Sequence, residues 1–118
     1  MIPYKRHTLS NGLTVAVNRD RQSKLAAVNI LYKVGARNED PARTGFAHLF
    51  EHLMFRGTRA VENFDLPVQM ASGDNNAFTN NDYTDFYITL PKDNLETALW
   101  LESDRMEGLD ITPAKLEA

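Results

Sequence analysis

Cysteine is absent from the 118 residues, which rules out disulfides and thiolate ligands and leaves imidazole and carboxylate groups as donors for any bound metal. Histidine is scarce too, with three in the chain, so the spacing between any two carries information. No apolar run reaches the roughly 20 residues that a membrane-spanning helix needs. The opening residues, Met1-Ile2-Pro3-Tyr4-Lys5-Arg6, lack the apolar segment of a secretory signal, and because a targeting segment is removable the compartment stays open. Positive charge is not clustered, and a net charge of −3 is too small to favour nucleic acid or an anionic membrane surface. What is present is an apolar share of 42%, enough for a core, in a length that holds one domain or part of one.

Two of the histidines fall in His48-Leu49-Phe50-Glu51-His52, an H-x-x-E-H pattern. On a helix advancing about 100° per residue, His52 lies about 40° from His48 and Glu51 about 60° to the other side, so the three share one narrow face. Phe46, Leu49, Phe50, Leu53 and Met54 gather opposite and are expected to pack on the core, pointing the chemistry away from it. Neutral imidazoles at i and i+4 close on one zinc ion, and a carboxylate beside them is placed to act on a water. The pattern reverses H-E-x-x-H and is a zinc-hydrolase arrangement. At this composition its accidental occurrence is on the order of 0.004 per chain, which weighs against a surface helix carrying two solvated histidines.

The motif sits inside Thr44-Gly45-Phe46-Ala47-His48-Leu49-Phe50-Glu51-His52-Leu53-Met54-Phe55-Arg56-Gly57-Thr58, a stretch that resembles the pitrilysin/insulinase family of zinc metallopeptidases. The segments Leu9-Ser10-Asn11-Gly12-Leu13-Thr14-Val15, Val34-Gly35-Ala36-Arg37-Asn38-Glu39, Gly73-Asp74-Asn75-Asn76-Ala77-Phe78-Thr79 and Tyr83-Thr84-Asp85-Phe86-Tyr87 are similar to that family as well. The resemblance covers essentially the whole chain. It implies His48 and His52 as zinc (Zn2+) ligands, Glu51 as general base, and Asn76-Ala77-Phe78-Thr79 as an edge strand to which an extended substrate adds.

Element signals predict an α+β fold, mainly antiparallel sheet packed with helices. Asn11-Gly12 reads as a type I′ hairpin turn joining strands near 5–10 and 13–18. Ala26, Val28, Ile30, Tyr32 and Val34 alternate with less apolar residues and predict a central strand over 26–34. The motif helix is expected to stop at a left-handed Gly57. A short helix is expected between Phe64 and Ser72, ended by Gly73, with Pro67 tolerable only in its first turn. Strands follow near 75–79 and 84–90, with Phe86, Ile88 and Leu90 facing one way. Asp93 and Glu96 suggest a capping box opening a helix to Glu107, with Leu95, Ala98, Leu99 and Met106 as its core stripe. Trp100 and Leu101 fall outside that stripe, which suggests a second buried surface. Thr112-Pro113 reads as the cap and first residue of a further helix.

Two imidazoles leave a catalytic zinc short of its usual three protein ligands. In the family that the chain resembles, the third is a Glu roughly 75 residues beyond the second histidine, near position 127. Residues 1–118 are therefore expected to be the N-terminal part of a single metallopeptidase domain, cut before that ligand, inactive alone and prone to self-association through uncovered apolar surface. Glu102 and Glu107 are expected on the solvated side of their helix, Glu117 falls short of the required spacing, and His7 is expected exposed on the first strand. Phe55 lies on the histidine side of its helix, where it either lines a substrate cleft or packs against a strand. The expected function is a zinc metalloendopeptidase acting on peptides or unfolded polypeptides, with the remaining domains of a parent enzyme as partners and no nucleic acid or membrane. The alternative is a non-catalytic subunit or assembly module that keeps the fold.

Overall fold

The hairpin forms where Asn11-Gly12 marks it: β1 (Lys5–Thr8) and β2 (Thr14–Val17) pair antiparallel, Lys5 opposite Val17 and Thr8 opposite Thr14. Its turn differs from the expected type I′. Gly12 is left-handed at φ +90° whereas Asn11 is not, and the Asn11 side-chain oxygen accepts from Leu13 N–H at 3.1 Å. Gly12 N–H returns to Leu9 O at 2.9 Å and Leu9 N–H to Leu13 O at 2.8 Å, a turn with a one-residue bulge. The local side-chain bond lets Asn11 keep ordinary backbone angles. This computed structural model describes residues 1–117, and among them β1 and β2 join no other strand.

The main sheet comprises β3 (Leu25–Tyr32), β4 (Asp74–Thr79) and β5 (Thr84–Pro91), antiparallel in the order β3-β5-β4. The expectation that the strand near 26–34 is central is overturned: β5 holds the centre, and β3 is an edge among the described residues. The reason lies in β5, where Phe86, Ile88 and Leu90 are buried on one face while Thr84 and Asp85 are buried as well. Asp85 is reached by Asn29 Nδ2 at 2.8 Å, so this polar face is satisfied across the strand pair. In β3 only Val28 is fully buried, and the strand ends at Tyr32, short of Val34.

The helices are α1 (Phe46–Leu53), α2 (Asp65–Met70), α3 (Leu95–Glu107) and α4 (Pro113–Glu117). The core joins Val28, Ile88 and Leu90 of the sheet to Phe64, Val68 and Ala71 around α2 and to Ala98 and Leu101 of α3. Each such large side chain contributes roughly 1.5–3 kcal/mol relative to exposure. Pro67 lies in the first turn of α2, as expected, but the left-handed residue that ends the helix is Ser72 (φ +58°). Gly73 sits in a close approach instead, since a Cβ there would lie 3.1 Å from Leu90 Cβ, Thr89 O and Val68 Cγ1 and would press each of them back by a few tenths of an ångström. Similarly, α1 ends at Leu53, because Phe55 N–H and Arg56 N–H bond three residues back, tightening the chain before Gly57 takes φ +99°.

The capping box at Asp93 and Glu96 is absent. Lys92–Asn94 form a 3₁₀ turn, Asn94 is the cap residue of α3, and its side chain donates to Ala71 O at 2.9 Å instead. The core stripe of α3 is also corrected: its buried residues are Ala98, Leu101, Glu102 and Arg105, while Leu95, Leu99, Trp100 and Met106 are exposed. Glu102, expected in solvent, is 2% exposed. The cap at Thr112 forms, its Oγ1 accepting from Lys115 N–H at 3.3 Å.

Candidate functional site

Helix α1 starts because Gly45, at φ +91°, turns the chain into it, and it lies over the end of β4. His48 and His52 project to solvent one turn apart, with their Nε2 atoms 3.0 Å apart and rings tilted by 40°. One Nε2–H donates to the other Nε2, the tautomer deciding which. Two nitrogens on one tetrahedral ion at about 2.0–2.1 Å stand roughly 3.3 Å apart, so this pair is spaced for a shared metal. No third His, Asp or Glu joins them in a ligating group among the described residues.

Glu51 points differently from the histidines. It is half-buried, and its Oε2 accepts from Thr79 Oγ1 at 2.5 Å. The motif carboxylate is thereby tied to the last residue of β4. Beside it opens a cleft of about 650 Å³ walled by Tyr32, Phe46, Phe50, Met54 and Phe86. The expectation that Phe46, Leu49 and Phe50 pack on the core is corrected, since they are 47%, 43% and 52% exposed; of the expected face Leu53 is buried, and Ala47 is buried with it. Packing of α1 on β4, where Thr79 bonds Glu51, turns the Ala47 and Glu51 side inward.

Asn76, Ala77, Phe78 and Thr79 lie together on β4, which pairs with β5 alone among the described residues. Asn75, Ala77 and Thr79 are half-buried, while Asn76 and Phe78 are exposed on the opposite face. Counting ladder pairs from the Asn80 N–H to Tyr83 O bond sets Phe78 in hydrogen-bonded register with Asp85 and turns Ala77 N–H outward. The outward N–H groups of Asn75 and Ala77 are each taken by the preceding side chain, Asp74 Oδ1 at 3.0 Å and Asn76 Oδ1 at 2.8 Å. The run Asn80-Asn81-Asp82 is turn chemistry: Asn80 Oδ1 accepts from Asp82 and Tyr83 N–H.

Phe55 packs inward, edge-on to Phe64 with ring centres 6.0 Å apart and tilted against Phe86 at 6.0 Å. These three rings surround Arg105, whose guanidinium carbon is 3.9 Å from the Phe64 ring centre, 4.5 Å from Phe86 and 5.4 Å from Phe55. Arg105 donates to Glu102 through Nη2 at 2.6 Å and Nε at 3.0 Å, and reaches Met54 O at the end of α1 through Nη1 at 3.4 Å. Burial pushes the Glu102 carboxyl above its ordinary value, and Arg105 pulls the other way. Tyr32 Oη is buried with no partner among the described residues; burial first, then the charge of Glu102, raises its pKa.

Sequence reasoning missed Glu39, whose Oε1 and Oε2 accept from Ala47 and Gly45 N–H. The available signal was Gly45 itself, a helix start with no capping side chain. His7 on β1 and Glu107 on α3 are exposed as expected, and Glu117 is exposed as well. No helix among the described residues is long and apolar enough to cross a membrane.

A protein named zinc protease PqqE from Helicobacter pylori is 37% identical over 107 residues, 88% of this chain and 24% of that protein. The β subunit of a probable mitochondrial-processing peptidase from Arabidopsis thaliana is 32% identical over 86% of this chain and 19% of its own length. Among solved structures, a protease from Helicobacter pylori superposes with a TM-score of 0.91 at 33% identity, covering 98% of this chain and 28% of that one. Pitrilysin superposes at 0.79 and 27% identity, over 86% of this chain and 11% of that one. The chain thus spans about a quarter or less of these two curated relatives. Residues 14–118 match the profile of insulinase (peptidase family M16), and with these relatives that match makes the chain a member of the insulinase family of peptidases.

Proposed function

We propose that residues 1–118 are the N-terminal part of a single metallopeptidase domain in a zinc metalloendopeptidase that hydrolyses peptides or unfolded polypeptides. The observation that carries this is the convergence of His48 and His52 Nε2, 3.0 Å apart, beside a carboxylate held by a neighbouring strand. His48 and His52 would hold zinc, with the third ligand outside the described residues. Bound zinc supplies a Lewis acid that polarises a scissile carbonyl and acidifies a water.

The chain's own residues do the rest. Thr79 Oγ1 occupies Glu51 Oε2, which leaves Oε1 as the acceptor for the water's proton. Glu51 then delivers that proton to the leaving amine, as a general base turned general acid. An extended substrate adds along β4 by displacing the Asn76 side chain from Ala77 N–H, so recognition reads backbone more than side chains. The walls of Phe46, Phe50 and Phe86 keep the cleft beside Glu51 apolar.

In the full-length protein, Glu51→Gln is expected to cut peptide hydrolysis by at least about a hundredfold while zinc content stays unchanged. Retained turnover removes Glu51 from the mechanism, and loss of zinc makes it a ligand. His52→Ala serves as the control that loses zinc. Ala77→Pro is expected to raise KM in a folded enzyme, because it deletes an outward donor; an unchanged KM rules out strand addition at this edge.

A further inference from the structure

Helix α1 is poorly started by its own residues. Its cap position is Gly45, which has no side chain to offer, and no side-chain cap bond is made from within. His48 is the third helical residue, in the turn whose N–H groups lack intrahelical partners and which frays first. His52 lies one turn further along, where the helix supplies its own bonds.

The missing cap comes from outside the helix. Glu39 Oε2 accepts from Gly45 N–H at 2.6 Å and Oε1 from Ala47 N–H at 2.8 Å. The carboxylate also lies at the positive end of the helix dipole. Glu39 is itself anchored, its N–H bonded to Ala36 O at 3.2 Å. The segment before it is fastened to the β4–β5 turn by Ala36 N–H to Asn80 O at 3.1 Å, Arg37 N–H to Asn81 O at 3.0 Å, and the Arg37–Asp82 ion pair at 3.0 Å. A Cβ at Gly35 would lie 2.5 Å from Asn80 O, so the approach of these two segments admits only glycine.

We propose that Glu39 is a positioning residue for His48, fixing the first turn of α1 so that the His48 ring meets His52 at ligand spacing; this rests on the zinc reading above. Its carboxylate does for α1 what a capping side chain does elsewhere, from a segment tied to the turn that closes β4.

The test compares variants of the full chain in zinc competition against a chromogenic chelator and, without metal, in amide exchange and carbon chemical shifts. Glu39→Ala is expected to weaken zinc about tenfold, and Glu39→Gln, which keeps one acceptor oxygen, to weaken it less. Thr112→Ala removes a cap of the same kind from α4 and is expected to leave zinc affinity unchanged. In metal-free Glu39→Ala, Ala47 N–H exchanges faster and the His48 Cα shift moves toward coil while His52 keeps its own. If Glu39→Ala fails to fold, Glu39→Gln carries the same comparison. Zinc affinity equal to that of the unaltered chain overturns the proposal, as do equal losses in the Glu39 and Thr112 variants or parallel shifts at His48 and His52. If His48→Ala leaves zinc binding untouched, the zinc assignment falls and takes this proposal with it; a loss in His48→Ala with none in the Glu39 variants overturns this proposal alone.

Discussion

Helices α1 and α3 flank the same sheet and treat charge in opposite ways. On α1, Glu51 is half-buried with a single neutral donor, Thr79, and opens onto a cleft, while both histidines face solvent. On α3, Glu102 and Arg105 are 2% and 3% exposed and bonded twice to one another, with the Arg105 guanidinium enclosed by Phe55, Phe64 and Phe86. The difference is whether the charge finds its counter-charge inside the protein. A carboxylate with a built-in guanidinium becomes part of the core, whereas one with only a hydroxyl stays available for chemistry.

The strongest way to break this comparison is Arg105→Ala. It strands Glu102 without a partner and is expected to cost about 3–5 kcal/mol in urea unfolding. Replacing both, Glu102→Leu with Arg105→Met, is expected to recover most of that loss, since an apolar pair of similar volume needs no counter-charge. A loss below about 1 kcal/mol in Arg105→Ala would mean that water reaches Glu102 and that the two helices differ less than their burial implies.

On the α1 side, Thr79→Val is expected to lower kcat roughly tenfold with KM little changed, and Thr79→Ser to restore it, because the hydroxyl orients Glu51 and does not bind substrate through its side chain. An unchanged kcat in Thr79→Val shows that Glu51 holds its place without the bond.

The buried pair also has a pH signature. Burial raises the Glu102 carboxyl above 4.5, so the folded chain keeps a proton that the unfolded chain has already released. Its contribution to stability is full below 4.5 and declines as pH rises through the folded value. Relative to Glu102→Gln, the unaltered chain should therefore lose melting temperature as pH climbs from 4.5, opposite to ordinary acid denaturation. A flat difference sharpens the comparison the other way, by placing the pull of Arg105 level with burial.

The smallest expected effect is at Tyr32, whose hydroxyl is buried without a partner among the described residues. Tyr32→Phe is expected to be neutral or stabilising by up to about 1 kcal/mol in thermal unfolding, since it removes an unsatisfied polar group. A loss beyond that size would reveal a partner for the hydroxyl.

Legibility in the sequence followed how local each signal was. The H-x-x-E-H spacing brings His48 and His52 together by helix geometry alone, and β4 and β5 appear where their alternation marks them. Both helix stripes are legible only in part, Leu53 of α1 and Ala98 of α3 being buried as expected. An apolar wheel assigns Leu95, Leu99 and Met106 to the core of α3, but the ion pair at Glu102 and Arg105 sets the buried face at 98, 101, 102 and 105. The same wheel assigns Phe46 and Phe50 to a core that they do not reach, because β4 lies under Ala47 and Glu51. Glu39 and Thr79 were invisible as capping and orienting groups because their partners are eight and 28 residues away. Central placement of β5 likewise depends on which strands flank it, and alternation within one strand carries no such information.

The sealed Glu102–Arg105 pair has a consequence for how this chain can change over generations. Loss of Arg105 alone leaves the Glu102 carboxyl buried without its counter-charge, and loss of Glu102 alone leaves the guanidinium unpaired among three phenylalanine rings, so either single substitution is expected to be selected against. The route from an ionic to an apolar plug passes through variants less stable than either end. Two positions one helical turn apart are therefore expected to change together, whereas the Arg105 contact to Met54 O, a main-chain carbonyl, leaves the side chain at the end of α1 free to vary.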